Sequence, residues 1–256
     1  MCLILLAVQT HPEYRLILAA NRDEYYERPS EPPHFWKDAP ELLAGRDLVA
    51  GGTWLGITRT GRLAGVTNYR DPARVKPDAP SRGKLVTNFL RGDLAPSSYL
   101  ELIRGEKDRY NGFNLILGDR EQITWYSNRS DKITPLLPGI YGLSNRLLDT
   151  PWPKVVRAKA WFEEIIHTNE DLSTESVFRL LKDQTVAPDD RLPSTGVPLA
   201  WERILSPIFI TSPTYGTRSS MVLLIDKDEH VTFLDRTFNG SPEPVSTATF
   251  EFDLET

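Results

Sequence analysis

Residues 1–24 constrain this chain more than any other stretch. Two runs rich in Leu, Ile and Val, Cys2 to Gln9 and Tyr14 to Asn21, are separated by Thr10-His11-Pro12-Glu13. Pro12 cannot donate to a strand ladder, so the break falls there and the spacing predicts a β-hairpin. The second run empties into Asn21-Arg22-Asp23-Glu24, four polar residues in a row. In an antiparallel hairpin the start of the first strand lies beside the end of the second. Cys2, the only cysteine of the chain, is thereby brought next to a carboxylate, a guanidinium and an amide. A nucleophile needs such neighbours.

A free thiol, with a pKa of about 8.5, is only a few per cent thiolate at neutral pH and needs activation. Removal of Met1, which a small second residue permits, would leave an α-amino group on Cys2 itself. That group has a pKa near 7.7–8.0 (about one unit above neutral) and can accept the thiol proton. From position alone, Cys2 reads more readily as a small apolar residue in a buried strand with Met1 retained, because free cysteine is among the most buried residue types. Asp23 is the expected holder of the α-ammonium or orienter of the thiol, and Arg22 the expected partner of a carboxylate or a substrate anion. Asn21 and Glu24 flank them as further substrate contacts.

Other strand ends carry similar chemistry. Asn68 closes Ala64-Gly65-Val66-Thr67 and Asn145 closes Tyr141-Gly142-Leu143-Ser144. Amide N–H groups at such ends can bind a developing oxyanion, although either asparagine alone also suits a turn or cap. Arg218, just ahead of the Met221 strand, is placed to stabilise a thiolate or to be a surface charge. Trp54 and Tyr69 complete the expected substrate-binding set. His11, His34, His167 and His230 are scattered without metal-ligand spacing, so no metal site is expected. Arg82-Gly83-Lys84 lacks the upstream glycine of a phosphate-binding loop.

Taken in order, Pro29 to Pro40 reads as a proline-rich loop and Leu42 to Asn68 as successive strands with a tight turn at Thr60-Gly61. Helical spacing of Leu85, Phe89, Leu90, Tyr99, Leu102 and Ile103 predicts two short helices between Gly83 and Arg104. Phe113 to Leu117 and Ile123 to Ser127 form an expected hairpin. Ile140 to Ser144 is a brief apolar segment. Thr150-Pro151 marks a helix start, with Val155, Val156, Ala158, Phe162, Ile165 and Ile166 as its buried stripe. Leu172 to Leu181 is a second such helix, capped by Ser173. Thr185 to Pro198 reads as a mobile loop. Ile208 to Ile210, Met221 to Asp226, Val231 to Leu234 and the alternating Phe250 and Phe252 resume β patterning. Segregated strands and helices imply an α+β fold. No clear linker interrupts residues 1–256, which predicts one domain.

A net charge of −5 argues against nucleic acid or an anionic membrane surface as partner. No apolar run approaches the roughly 18 residues of a membrane span. Leu3 to Val8 resembles the apolar part of a signal peptide, but no Lys or Arg precedes it and His11, Pro12, Glu13 and Arg15 interrupt it. With a single cysteine excluding an internal disulfide, the expected location is cytoplasmic.

Five separated motifs then carry a family likeness. Met1-Cys2-Leu3-Ile4, Ala20-Asn21-Arg22-Asp23-Glu24, Gly51-Gly52-Thr53-Trp54-Leu55-Gly56, Gly142-Leu143-Ser144-Asn145 and Tyr215-Gly216-Thr217-Arg218-Ser219-Ser220 together resemble the NRDE family, the group that includes the transport and Golgi organisation 2 proteins. The resemblance implies an N-terminal-nucleophile (Ntn) hydrolase-like αββα four-layer sandwich with two stacked, mainly antiparallel sheets. It is joined by a more distant likeness to the choloylglycine hydrolase and penicillin V acylase group, in which Cys2, Asp23, Asn68, Asn145 and Arg218 look like the catalytic positions. That group carries an arginine three residues before its aspartate, where this chain has Ala20 and, displaced, Arg22. The implied activity is hydrolysis of a non-peptide amide C–N bond in a small or acyl-containing substrate, with no cofactor required. The family link also implies an alternative: haem or acyl-CoA and lipid trafficking on the same fold, with Cys2 as an axial thiolate to haem.

Overall fold

The computed structural model describes residues 2–168 and 172–255. Met1, and with it the expected loss of that residue, lies outside them. In chain order the strands and helices are β1 (Cys2–Val8), β2 (Tyr14–Tyr25), β3 (Ser30–Trp36), β4 (Ala39–Asp47), β5 (Leu55–Thr58), β6 (Leu63–Asn68), α1 (Gly83–Leu90) and α2 (Pro96–Gly105). They continue with β7 (Phe113–Gly118), β8 (Ile123–Ser127), β9 (Lys132–Pro135), β10 (Gly139–Leu143), α3 (Pro153–Thr168), α4 (Thr174–Leu181), α5 (Leu199–Ile204), β11 (Tyr215–Asp226), β12 (His230–Thr237) and β13 (Ser246–Asp253). The chain divides into two compact units. One comprises Met1–Glu27, Leu137–Ser144 and Leu148–Phe252; the other comprises Arg28–Leu136, Asn145–Leu147 and Asp253–Thr256.

The first unit is built on a six-stranded sheet in the order β10-β1-β2-β11-β12-β13. Both faces of β1 are apolar and every one of its residues is buried. Antiparallel pairing sets Leu3 opposite Asn21, Leu5 opposite Ala19 and Ala7 opposite Ile17, so these six share one face. Val222 and Leu224 extend that face on β11. Helices α3 and α4 cover it with Val155, Ala158, Phe162, Val177, Leu180 and Leu181. A wholly buried aromatic such as Phe162 is worth about 3–5 kcal/mol against alanine. Gly142 lets α3 approach β10: a Cβ there would stand 2.8 Å from Val155 Cγ1 and 2.9 Å from Lys159 Cγ. Ser173 caps α4 as expected, its hydroxyl accepting from the Ser176 N–H at 3.3 Å.

The second unit carries a seven-stranded sheet, β3-β4-β5-β6-β7-β8-β9, in which every strand pairs with its sequence neighbour. Helices α1 and α2 pack Leu85, Phe89, Leu100 and Ile103 against Val66, Leu115 and Leu117. The turn between β5 and β6 uses Gly61 at φ 84, a left-handed conformation that favours glycine.

The proline-rich loop over 29–40 is corrected to the β3–β4 hairpin. Pro32 and Pro33 fall inside the register irregularity between Glu31 and His34, on a strand at the sheet's edge. A missing N–H costs nothing there. Trp36 closes the hairpin, buried and donating from Nε1 to the Ala44 carbonyl at 2.9 Å. Ile208 to Ile210 is buried but is no strand; its backbone meets Asp183, with the Phe209 N–H donating to the carbonyl at 2.8 Å. Strand β11 begins at Tyr215, so Arg218 lies inside a strand rather than ahead of one. Two sheets flanked by helices confirm the α+β class. Among the described residues no helix is long and apolar enough to cross a membrane.

Candidate active site

Hairpin register decides what Cys2 meets. Cys2 stands opposite Arg22 at the mouth of the β1–β2 pair. On β11 the partner of Arg22 is Ser219, and on β12 the partner of Ser219 is Thr237. Cys2, Arg22, Ser219 and Thr237 therefore form one polar row across four strands, on the face opposite α3 and α4. Asp235, opposite Met221, shares that face. Its carboxylate is buried and accepts from the Ser219 and Thr237 hydroxyls. Burial holds the Asp235 carboxyl far above its usual range, at about 7, against the opposing pull of those hydroxyls and of Arg22.

Thr217 pairs with Asp23 and Ser219 with Arg22, which leaves Arg218 as the extra residue of a β-bulge. The bulge turns Arg218 back along β2, where Nη1 donates to the carbonyls of Tyr25 at 3.0 Å and Tyr26 at 2.9 Å. Burial, then the like charge of Arg22, press its pKa downward.

Cys2 is 8 % exposed. Burial pushes its thiol up, as does the charge of Asp23. The positive chain terminus, the Asp23 backbone N–H and Arg22 oppose the rise. Asp23 itself is 2 % exposed. Its Oδ1 accepts from Thr217 Oγ1 at 2.8 Å and its carbonyl accepts from the Tyr215 hydroxyl at 3.0 Å. Burial raises this carboxyl too; Lys154 is the strongest force against that rise, followed by the chain terminus, Thr217 and Arg22. Ser144 ties β10 to the same place, its hydroxyl donating to the Cys2 carbonyl at 3.1 Å.

The structure corrects one expected substrate contact. Asn21 lies on the helix-covered face, away from Cys2, and is wholly buried. Its Nδ2 donates to the Leu181 carbonyl at 2.8 Å and the Ile208 carbonyl at 2.9 Å, while Oδ1 accepts from Ser220 Oγ at 2.6 Å. Strand alternation is the reason: two polar neighbours in one strand must face opposite ways. Arg22 shares the Cys2 face, as does Glu24 by the same alternation. Glu24 accepts from the Tyr25 N–H at 2.9 Å.

In the second unit, Asn68 ends β6 and its carbonyl accepts from Asn145 Nδ2 at 2.8 Å. Asn145 is wholly buried, and its own carbonyl accepts from the Arg70 N–H at 2.8 Å. The two asparagines are thus brought together. Tyr69 lies beneath the Arg146 guanidinium, 4.9 Å from the ring centroid. Trp54 packs against the α1 and α2 core.

Lys154 is the residue the sequence reading missed. It is 2 % exposed. Its signal was present: the stripe of α3 counted back four residues from Ala158 lands on it, an ammonium at a core position. Among the described residues no group of three or more His, Cys, Asp or Glu side chains could hold a metal ion.

Residues 1–240 match the family model described as Transport and Golgi organisation 2. The chain belongs to this family. Over its whole length it is 40 % identical to the Transport and Golgi organization protein 2 homolog of Bos taurus and 38 % identical to that of Homo sapiens, each of which it covers completely. The Drosophila melanogaster family member is 30 % identical over 94 % of this chain and 93 % of its own. Two solved structures share the fold. The C2A mutant of the conjugated bile acid hydrolase from Clostridium perfringens aligns over 100 % of this chain and 94 % of its own, with a TM-score of 0.58 and 9 % identity. The Caenorhabditis elegans ortholog of N-acylethanolamine-hydrolyzing acid amidase aligns over 87 % and 92 %, with a TM-score of 0.50 and 10 % identity. This family member therefore has the Ntn-hydrolase-like fold.

Proposed function

We propose that the protein is a cysteine Ntn-type hydrolase that cleaves a non-peptide amide bond in a small or acyl-containing substrate. The observation that carries this is the position of Cys2, opposite Arg22 and next to Asp23 at the mouth of the β1–β2 pair. Support comes from the fold shared with a bile acid hydrolase and an N-acylethanolamine amidase.

In this mechanism Met1 is removed and the α-amine of Cys2 takes the thiol proton. Burial raises the thiol, so this local base is needed before attack. The sulfur adds to the amide carbonyl carbon, and the oxyanion is held by N–H donors. The C–N bond then breaks as the ammonium returns its proton to the leaving amine, giving an acyl thioester on Cys2. Water, deprotonated by the same amine, hydrolyses the thioester and restores the thiol. Asp23 anchors the amine, and Arg22 is the cation available to an anionic group on the substrate. Arg218 is the second cation proposed to favour the thiolate.

The test is amine release from a panel of N-acyl amines of graded chain length. Wild-type protein releases amine and forms an acyl adduct that hydroxylamine removes. Cys2→Ala does neither. Amine release that survives in folded Cys2→Ala contradicts the mechanism.

A further inference from the structure

Helix α3 buries a charge where its pattern calls for a side chain of the core. Ala158 and Phe162, four residues apart, are wholly buried against β1 and β2, and Lys154 continues that row by one turn towards the helix start. It is 2 % exposed. An ammonium taken out of water costs several kcal/mol unless a carboxylate meets it, a penalty of the order expected for any buried ion. Asp23 is the buried carboxyl group on the facing sheet. It follows Asn21 by two on β2, hence faces the layer that α3 occupies, and among the charges acting on it Lys154 is the strongest.

We propose that Lys154 is a positioning residue of the Cys2 site: its buried ammonium holds the Asp23 side chain as a carboxylate, fixed to receive the terminal amine of processed Cys2. This rests on the hydrolase function proposed above. Each element packed around Asp23 contributes a group. From β1 comes Cys2, from β2 Arg22, and from β11 the Thr217 hydroxyl on Oδ1 with the Tyr215 hydroxyl on the carbonyl; the positive chain terminus acts on Asp23 as well. Tyr26, just past the end of β2, feels the Asp23 charge in turn. Only Lys154 comes from the helix layer in this set. Burial drives Asp23 towards its neutral acid, and a neutral acid does not anchor an ammonium. Loss of Lys154 therefore releases the amine at neutral pH, and raising the pH restores the anchor by ionising Asp23 again.

The test compares wild type, Lys154→Met, Lys154→Arg and Asp23→Asn by two readouts. The first is the rate of Cys2 alkylation by iodoacetamide across pH. Lys154→Met falls about tenfold below wild type at neutral pH, the effect of a one-unit shift in ionisation, and converges with wild type as the pH rises. Asp23→Asn stays low throughout, and Lys154→Arg stays near wild type. The second readout is the 13C carboxyl shift of Asp23, assigned by its absence in Asp23→Asn. The resonance is that of a carboxylate at pH 7 in wild type and of a protonated acid in Lys154→Met. A parallel alkylation profile, or a uniform drop at all pH values, overturns the proposal, as does an Asp23 ionisation that is equal in the two proteins. Should Lys154→Met not fold, a wild-type Asp23 found protonated at pH 7 overturns it, and a carboxylate there that persists in Lys154→Arg upholds it. An unreactive wild-type Cys2 alongside a Lys154-dependent Asp23 defeats the hydrolase function alone.

Discussion

Asn21 offers a sharp test because its position answers whether the polar run at the end of β2 faces a substrate or the protein's own interior. In Asn21→Ala two backbone carbonyls, of Leu181 and Ile208, lose their donor, and the Ser220 hydroxyl loses its acceptor. The site is wholly buried, so water does not replace the amide. Each stranded buried carbonyl costs about 1–3 kcal/mol. The hydroxyl can rotate to another acceptor, so the sum for the substitution is about 2–6 kcal/mol. With a urea m-value of about 3 kcal/mol/M, the midpoint drops by roughly 1–2 M. Urea unfolding followed by tryptophan fluorescence reads the change, with amine release measured in the same preparations. The structural role predicts lowered stability with little change in KM for the molecules that remain folded. An unfolding midpoint within about 0.2 M of wild type, together with a raised KM, would refute it and return Asn21 to the substrate.

Three further outcomes follow from the site. The Asp235 carboxyl sits at about 7 in the fold against an ordinary 3.8, so between those values the unfolded chain releases its proton first and stability falls as pH rises. The loss is complete above the folded value and amounts to roughly 4 kcal/mol at most. Asp235→Asn removes this slope and is more stable than wild type at pH 8, while a slope that persists in the variant contradicts the assignment. Burial raises the Cys2 thiol, which disfavours Cys2 as an axial thiolate to haem; a haem titration therefore gives a Soret band unchanged between wild type and Cys2→Ala, and a cysteine-dependent band would favour the trafficking alternative. Arg218→Met removes two hydrogen bonds to the end of β2 and costs about 1–3 kcal/mol; an unchanged melting curve would show that the bulge holds without it.

Much of this architecture is legible in the chain because its signals are local. The β1–β2 hairpin, both helices between Gly83 and Arg104, the Ser173 cap and the turn at Gly61 each follow from patterns a few residues long. Pro32 and Pro33 misled because proline counts against a strand only where an N–H is needed, and an edge strand with a register irregularity does not need it. Ile208 to Ile210 misled because a short apolar run fits any buried conformation. At the site, sequence adjacency brought Arg22 and Asp23 to Cys2. Asn21 was swept in with them, since a run of polar residues does not by itself declare which face each takes. The bulge at Arg218 depends on the register of β2 against β11, which pairs residues almost two hundred positions apart. Lys154 was hidden by the habit of reading a lysine as solvent-facing, although the stripe of α3 passes through it.

All of this turns on whether sulfur and amine belong to the same residue. The direct measurement is the intact mass of the purified protein before and after brief treatment with iodoacetamide at neutral pH, in wild type and Cys2→Ala. The predicted result is a chain lacking Met1 that gains one adduct, which Cys2→Ala does not. A chain that keeps Met1, or a Cys2 that stays unmodified in the folded protein, would contradict the nucleophile at the centre of this mechanism.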